Sequence, residues 1–126
     1  MFRLIYIFTA INGKALKYNL IDVIIFEMKK TYFFKLIPPR KTFSQDMTQD
    51  ERNIMLQHIS YWKKNMDEGR VVAFGPVLHP DGAFGMGIIQ VNDEEEAKML
   101  AENDPSITSR LNKYEFYFMP NIVVKE

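Results

Sequence analysis

The stretch TQDERNIMLQHISYWKKNMDEGRVVAFGPV, residues 48–77, joins a complete helix signal to a strand signal. Thr48 precedes Glu51 at the spacing of a capping box, so a helix is predicted to begin there. At 100° per residue, one face of this helix carries Met55, His58, Ile59, Trp62 and Met66. Gly69 is predicted to end the helix in a left-handed cap. The β-rich run 71–77 is predicted to form the next strand.

Three further β-rich segments flank this helix–strand unit. They predict strands at residues 31–37, 85–91 and 114–119. A second helix, capped by Asn92 or Asp93, is predicted before the last strand. Asp104–Pro105 should end it, because the residue before a proline is pushed out of the helical region. The predicted order is therefore β-α-β-β-α-β.

This order predicts an α+β, ferredoxin-like fold with a four-stranded antiparallel sheet. Two helices can cover only one face of such a sheet. The other face would carry Phe33 or Phe34, Ile88, and Phe116 or Tyr117. A bare apolar face of that size favours a partner, most simply a second copy of the chain. We therefore expect a homodimer that packs sheet to sheet.

The composition of the 126-residue chain bounds its class. A hydrophobic content of 47% argues for one folded globular domain. Sixteen basic and sixteen acidic residues leave no positive excess for a phosphate backbone, so nucleic acid is not an expected partner. Zero cysteines exclude disulfides and thiolate chemistry and fit a reducing cytoplasm, where we expect the protein to work.

The first 27 residues stand apart from this pattern. The apolar run 2–11 is too short to span a bilayer, and no membrane association is expected. A second apolar run, 21–26, precedes Met28, which resembles a natural start of translation. We predict that residues 1–27 are an extension that is weakly held or lies outside the native protein, and that residues 28–126 form the domain. The alternative is a β-hairpin turning near Asn12-Gly13.

The ordered motifs of residues 28–122 carry a family resemblance. They are the Thr48-x-x-Glu51 helix start, His58 followed by Tyr61-Trp62, the run GRVVAFGPV at 69–77, Pro80-Asp81-Gly82, and Asp104-Pro105 before an aromatic strand. In order and spacing this set resembles the YciI-like, or YCII-related, family. The resemblance implies a ferredoxin-like fold of the dimeric α+β barrel type. It does not imply one reaction, although the enzymatic members resemble dehydrochlorinases that act on chlorinated hydroquinones.

By position, the resemblance also implies a His/Asp-centred site. The histidine of the family corresponds to His58 and its aspartate to Asp104, while Gly75-Pro76 corresponds to the dipeptide that shapes the pocket. Two departures border the presumed pocket. Residues 106–110 read SITSR where many members carry an aromatic or aliphatic residue, and His79 stands where an acidic residue is common.

His58 and Asp104 admit two interpretations. A neutral imidazole can take a proton from a substrate while a carboxylate orients it and stabilises the imidazolium. Alternatively, His58 is a core histidine satisfied by a backbone carbonyl, and Asp104 merely stops a helix. The catalytic interpretation requires the two side chains to lie within hydrogen-bond reach, directly or through one water.

Other residues are weaker candidates for the substrate pocket. Trp62 can wall an aromatic pocket, although that spacing is more often core, and Gly75-Pro76 suits a pocket floor or a plain strand exit. Arg40 can bind a carboxylate in bidentate fashion, and His79 lies in a predicted loop. Two histidines without cysteine offer no zinc spacing, and no glycine-rich phosphate loop is present, so neither metal nor cofactor is predicted.

Two classes of function follow. The first is a cofactor-independent enzyme, lyase-like or isomerase-like, that carries out acid–base chemistry on a small aromatic or oxygenated acid. His58 would be its general base or acid, and Asp104 would orient His58. The second is a non-catalytic dimeric protein that binds a small ligand in the same pocket or acts as an accessory.

Overall fold

A computed structural model describes the backbone of residues 6–11, 14–20 and 29–125. In chain order its elements are β1 (Tyr6–Ile11), β2 (Lys14–Asn19), β3 (Lys30–Ile37), α1 (Phe43–Asp46), α2 (Gln49–Asp67), β4 (Val71–Val77), β5 (Phe84–Val91), α3 (Glu94–Glu102), α4 (Pro105–Thr108) and β6 (Lys113–Phe118). The predicted βαββαβ order is confirmed over β3 to β6. The single-turn helices α1 and α4 lie in segments for which the sequence predicted no helix.

Strands β3 to β6 form one antiparallel sheet in the order β4-β5-β3-β6. Helix α2 connects β3 to β4, and α3 with α4 connects β5 to β6, so each connection crosses over to a non-adjacent strand. This is the split βαβ topology, and the α+β, ferredoxin-like prediction is confirmed.

Strand alternation separates a helix-facing side of the sheet from an open side. Phe34 lies between Gly87 and Phe116 in the register, and its ring centroid is 4.7 Å from that of Trp62 on α2, so these positions face the helices. Phe33, one residue earlier, lies between Ile88 and Tyr117 on the open side. Of the alternatives that the sequence left open, Phe33 and Tyr117 therefore belong to the open face.

Helix α2 begins and ends as its local sequence predicts. Thr48 and Glu51 form a complete capping box, with both reciprocal side chain–backbone hydrogen bonds present. Gly69 adopts φ +84°, and its N–H donates to the Met66 carbonyl. A residue without Cβ enters this left-handed conformation without strain, which explains why the helix ends here.

The N-terminal strands β1 and β2 pair antiparallel, with Ile11 opposite Lys14. This pairing is the hairpin that the sequence offered as an alternative, although its turn at residues 12–13 lies outside the described residues. Met28, the predicted start of the domain, also lies outside them. That residues 1–27 are weakly held or lie outside the native protein stays a prediction.

Among the described helices, none has both the length and the apolar character needed to cross a bilayer.

Candidate functional site

Two side chains of helix α2 meet the side chain of Asp104, which is more than forty residues away in sequence. Asp104 Oδ2 lies 2.7 Å from His58 Nδ1 and 2.7 Å from Trp62 Nε1. The Asp104 side chain is fully buried, and His58 is 9% exposed. The structure thus brings the two predicted residues into direct hydrogen-bond contact and adds the indole N–H of Trp62 to the pair.

The local sequence explains how these groups converge. His58 and Trp62 are four residues apart, so they lie one above the other on the same face of α2. Asp104 is the N-cap of α4, and its Oδ1 accepts the Ser106 N–H at 2.8 Å. Pro105 occupies the first position of α4, where its missing N–H costs nothing and its fixed φ suits the helix. The Asp-Pro that ends α3 therefore also starts α4.

Asp104 is held as a carboxylate despite its burial. Burial by itself raises the pKa of a carboxyl group, but the hydrogen bond and charge of His58, with the Trp62 and Ser106 N–H donors, lower the pKa of Asp104 below its ordinary value. An ionised carboxylate can only accept hydrogen bonds, so we assign the proton of the His58–Asp104 hydrogen bond to His58 Nδ1. In the neutral imidazole, Nε2 then carries the lone pair, and within residues 29–125 Nε2 makes no hydrogen bond.

A cavity of about 390 Å³ opens beside His58. Its volume lies within the range of small-molecule sites. Most of its walls are aromatic or aliphatic: Phe34, Leu36, Pro38, Phe43, Met47, Met55, Ile59, Trp62, Phe74, Pro76, Ala83, Phe84 and Met86. Besides His58, its polar side chains are Ser44, Lys63 and Asn112. The arrangement therefore places one imidazole in a largely apolar pocket that has room for more than a single ring.

Comparison with known proteins identifies the family of the chain. The sequence profile of the YCII-related domain matches residues 34–117, which run from the middle of β3 to the penultimate residue of β6. The chain belongs to the YCII-related domain family. No curated protein is similar enough to the chain to match it.

The predicted pocket residues of this YCII-related domain divide into two groups. Gly75, Pro76 and Trp62 line the cavity with His58. Trp62 is also 1% exposed and packs in the core, so its core and pocket-wall interpretations hold together. Arg40 and His79 do not line this cavity but border a second depression, and their predicted role in a substrate pocket stays a prediction.

Arg40 forms ion pairs at the N-terminus of helix α2 in this YCII-related domain. Its guanidinium makes a bidentate ion pair with Glu51 at 2.8 Å and bonds Asp46 at 2.7 Å. These hydrogen bonds, together with the capping box, lower the pKa of Glu51 to about 2. These contacts fasten α1 to the first turn of α2, and a substrate carboxylate would compete with them for the guanidinium.

His79 lies in the β4–β5 connection, away from Asp104. It is half exposed and accepts the Asp81 N–H through Nδ1 at 3.1 Å, which stabilises the predicted turn. His79 and Arg40 border a second depression on the other side of Pro38 and Phe84. Within the described ranges, no group of three or more histidine or carboxylate side chains could hold a metal ion.

Sequence reasoning missed most of the cavity lining of this YCII-related domain, including the buried residues Phe43 and Asn112. Phe43 is a buried aromatic at the start of α1, and a lone phenylalanine in the polar segment 40–47 was a usable signal for it. Asn112 is buried just before β6, and nothing in its local sequence marks it as a pocket residue. Its place depends on the path of the chain between α4 and β6.

Gly87 leaves room for the Trp62 indole, which donates a hydrogen bond to Asp104. A Cβ at Gly87 would lie 2.7 Å from Trp62 Cζ3, closer than real contacts allow, and the buried ring cannot swing aside. We expect Gly87→Ala to lower the free energy of unfolding by about 1–3 kcal/mol, the usual cost of overpacking. Urea denaturation measures this cost. Gly75→Ala is the control, since a Cβ there meets nothing within 4 Å, and an equal loss in both variants would contradict the expectation.

Proposed function

We propose that this protein is a cofactor-independent enzyme that uses His58 for acid–base chemistry, elimination or isomerisation, on a small aromatic or oxygenated acid. The observation that carries the proposal is which nitrogen of His58 bonds Asp104 and which is left for a ligand. Nδ1 of His58 is engaged by a buried anionic carboxylate, and Nε2 is free on a ring that lines the cavity. A histidine held in this way can accept a proton without reorientation.

In the proposed reaction, Nε2 takes a proton from a carbon or hydroxyl of the bound substrate. Asp104 stabilises the resulting imidazolium through the 2.7 Å hydrogen bond at Nδ1. In an elimination, the electron pair of the broken C–H bond forms the double bond, the leaving group departs with its own pair, and His58 returns its proton to solvent. In an isomerisation, His58 returns the proton to another carbon of the same substrate.

The walls of the cavity support a ring-shaped substrate with few polar groups. Phe34, Phe74 and Phe84 offer flat apolar surfaces, which pack well against an aromatic ring and exclude water from the imidazole. Lys63 is an exposed cation at the edge of the cavity and can pair with a carboxylate that remains near solvent. Both features support a small aromatic acid over a sugar or a nucleotide.

The second candidate is a ligand-binding protein without turnover, which the largely apolar lining favours. A thermal-shift screen with aromatic and oxygenated acids, followed by product analysis of each binder, separates the two functions. A binder raises the melting temperature under either function. Conversion that is lost in His58→Gln supports the enzyme. Binding without conversion of any binder in the wild type supports the ligand-binding protein.

We further propose a homodimer through the open sheet face, in the reducing cytoplasm that the cysteine-free composition fits. The open face presents Phe33, Ile88 and Tyr117 side by side, and Tyr117 is 55% exposed in one chain. An apolar row of this kind favours a second copy of the same sheet. The protein's neutral charge makes nucleic acid an unfavourable partner.

The dimer is tested by Ile88→Lys. A buried, unpaired ammonium at the centre of the interface is costly, so we expect the mass measured by light scattering to fall from that of two chains to that of one. Met99→Lys is the control, because Met99 is an exposed apolar side chain on α3, away from the open face. A wild-type chain that is monomeric at micromolar concentration would contradict the dimer.

A further inference from the structure

We propose that Asn112 selects ligands that carry a hydrogen-bond donor, such as a hydroxyl group on an aromatic ring. This inference rests on the proposed function only in placing a small ring in the cavity beside His58. The amide of Asn112 lines that cavity and is 4% exposed. Its side chain is buried and makes no hydrogen bond to Asp104 within the described residues.

The Asn112 amide is poorly satisfied at both ends. Its Oδ1 is buried and has no hydrogen-bond partner within the described residues. Its Nδ2 donates at 3.3 Å to the thioether sulfur of Met55, which is a weak acceptor. Buried polar atoms in native proteins nearly always find partners, so an amide left in this state needs an explanation.

The backbone holds this amide at the cavity. The Asn112 N–H donates to the Ser106 carbonyl at 2.9 Å, which anchors the residue beside the loop that carries Asp104. The Cβ–Cγ torsion of asparagine is broad, so the amide plane can turn while the backbone stays in place. Turning it toward the cavity gives up only the weak bond to the Met55 sulfur.

A bound ligand can supply what the amide lacks. Oδ1 is an acceptor, so the complementary group is a hydroxyl or an amine on an otherwise apolar molecule. Met55 lies three residues before His58 on α2, so the residue that the amide bonds and the imidazole are neighbours on one helix face, and all three side chains line the cavity. Two polar points this close together would hold a ring in one orientation, with its donor on Asn112 and its reacting atom near His58.

The test compares the binding of phenol and toluene, which have the same shape but differ by a hydroxyl in place of a methyl group. Trp62 is the only tryptophan of the chain and lines the cavity, so its fluorescence reports occupancy directly. We expect the ratio of phenol to toluene affinity to fall about tenfold in Asn112→Leu. Toluene affinity should be retained. Asn112→Ala is the second variant, for use if leucine disturbs the packing.

Asn65→Leu is the matched control. Asn65 is also a buried asparagine, but its amide is already bonded to the Tyr61 carbonyl and to Arg70, and it does not line the cavity. A ratio that is unchanged in both Asn112 variants, or that falls equally in Asn65→Leu, overturns the inference.

The same titrations separate this inference from the proposed enzyme. A tenfold fall in the ratio without any turnover by the wild type supports Asn112 as a selecting residue and overturns only the enzyme. Turnover that depends on His58, combined with an unchanged ratio, overturns only the Asn112 inference. If neither probe changes the Trp62 fluorescence of the wild type, the cavity does not bind small neutral rings and the Asn112 inference is overturned, whereas the enzyme is still decided by turnover that depends on His58.

Discussion

Asp104→Ala is expected to lower the free energy of unfolding by about 3–5 kcal/mol, because it removes one partner of a buried, hydrogen-bonded pair. The substitution leaves His58 Nδ1–H and Trp62 Nε1–H without their acceptor and removes the cap that holds the Ser106 N–H. Each buried donor left unpaired carries a desolvation penalty. Equilibrium urea denaturation of the wild type and the variant, near neutral pH, measures the loss.

The matched control is Asp93→Ala. Asp93 is also an N-cap aspartate and accepts the Glu96 N–H at 2.8 Å, but it is exposed. Losing an exposed cap costs about 1 kcal/mol, so the difference between the two variants isolates the buried hydrogen bonds from the cap. Equal losses in the two variants would contradict the structural role assigned to Asp104.

Asp104→Ala should also change how the free energy of unfolding depends on pH in acid. The pKa of Asp104 is lower in the folded state than its ordinary value of 3.8, so the folded protein binds this proton less readily than the unfolded chain. The stabilisation is complete above the unfolded pKa and is lost as the pH falls through the lower, folded pKa. We expect wild-type stability to fall more steeply than that of Asp104→Ala below about pH 4. Parallel curves would contradict this.

His58→Gln is expected to reduce turnover of a converted substrate about 10²–10⁴-fold, which is the range for removal of a general acid or base. Glutamine keeps a polar group near Asp104, so the fold and the ligand-induced rise in melting temperature should be retained. The measurement is kcat and KM on the first acid that the wild type converts. A fall in kcat with little change in KM is the expected pattern, because proton transfer belongs to the transition state.

His79→Gln is the control for His58→Gln, since it removes the other histidine of the chain from a half-exposed turn outside the cavity. Its turnover should match that of the wild type. Unchanged turnover in His58→Gln would contradict the acid–base role and leave the cavity as a binding site.

Elements with strong local signals were predicted accurately from the sequence. The capping box at Thr48 sets the start of helix α2, and the left-handed Gly69 sets its end. Both were predictable because both act through hydrogen bonds within a few residues. Phe33 and Phe34 show where local reasoning ends. Adjacent strand residues point to opposite faces of the sheet. The sequence therefore predicted that one of these two phenylalanines faces the helices, but it did not indicate which one.

The candidate site shows the same division. His58 and Asp104 were predicted as a pair from their residue types together with the family resemblance, whereas Arg40 was proposed for the pocket only because a guanidinium suits a carboxylate. The structure uses that guanidinium for Glu51 instead, since two carboxylates of the protein lie within 3 Å of it. Competition between a ligand and the protein's own groups depends on three-dimensional neighbours, which sequence spacing does not contain.

By itself, the sequence determined the order of the elements, the ends of the main helix and the residue types available for chemistry, because each of these depends on neighbours along the chain. Only the tertiary structure decided that Trp62 Nε1 and His58 Nδ1 share one carboxylate oxygen, that Gly87 makes room for the indole, and that the Asn112 amide is left without a full set of partners. These contacts join residues from separate helices, strands and loops. Their distances follow from how the sheet and helices pack, and no local pattern encodes them.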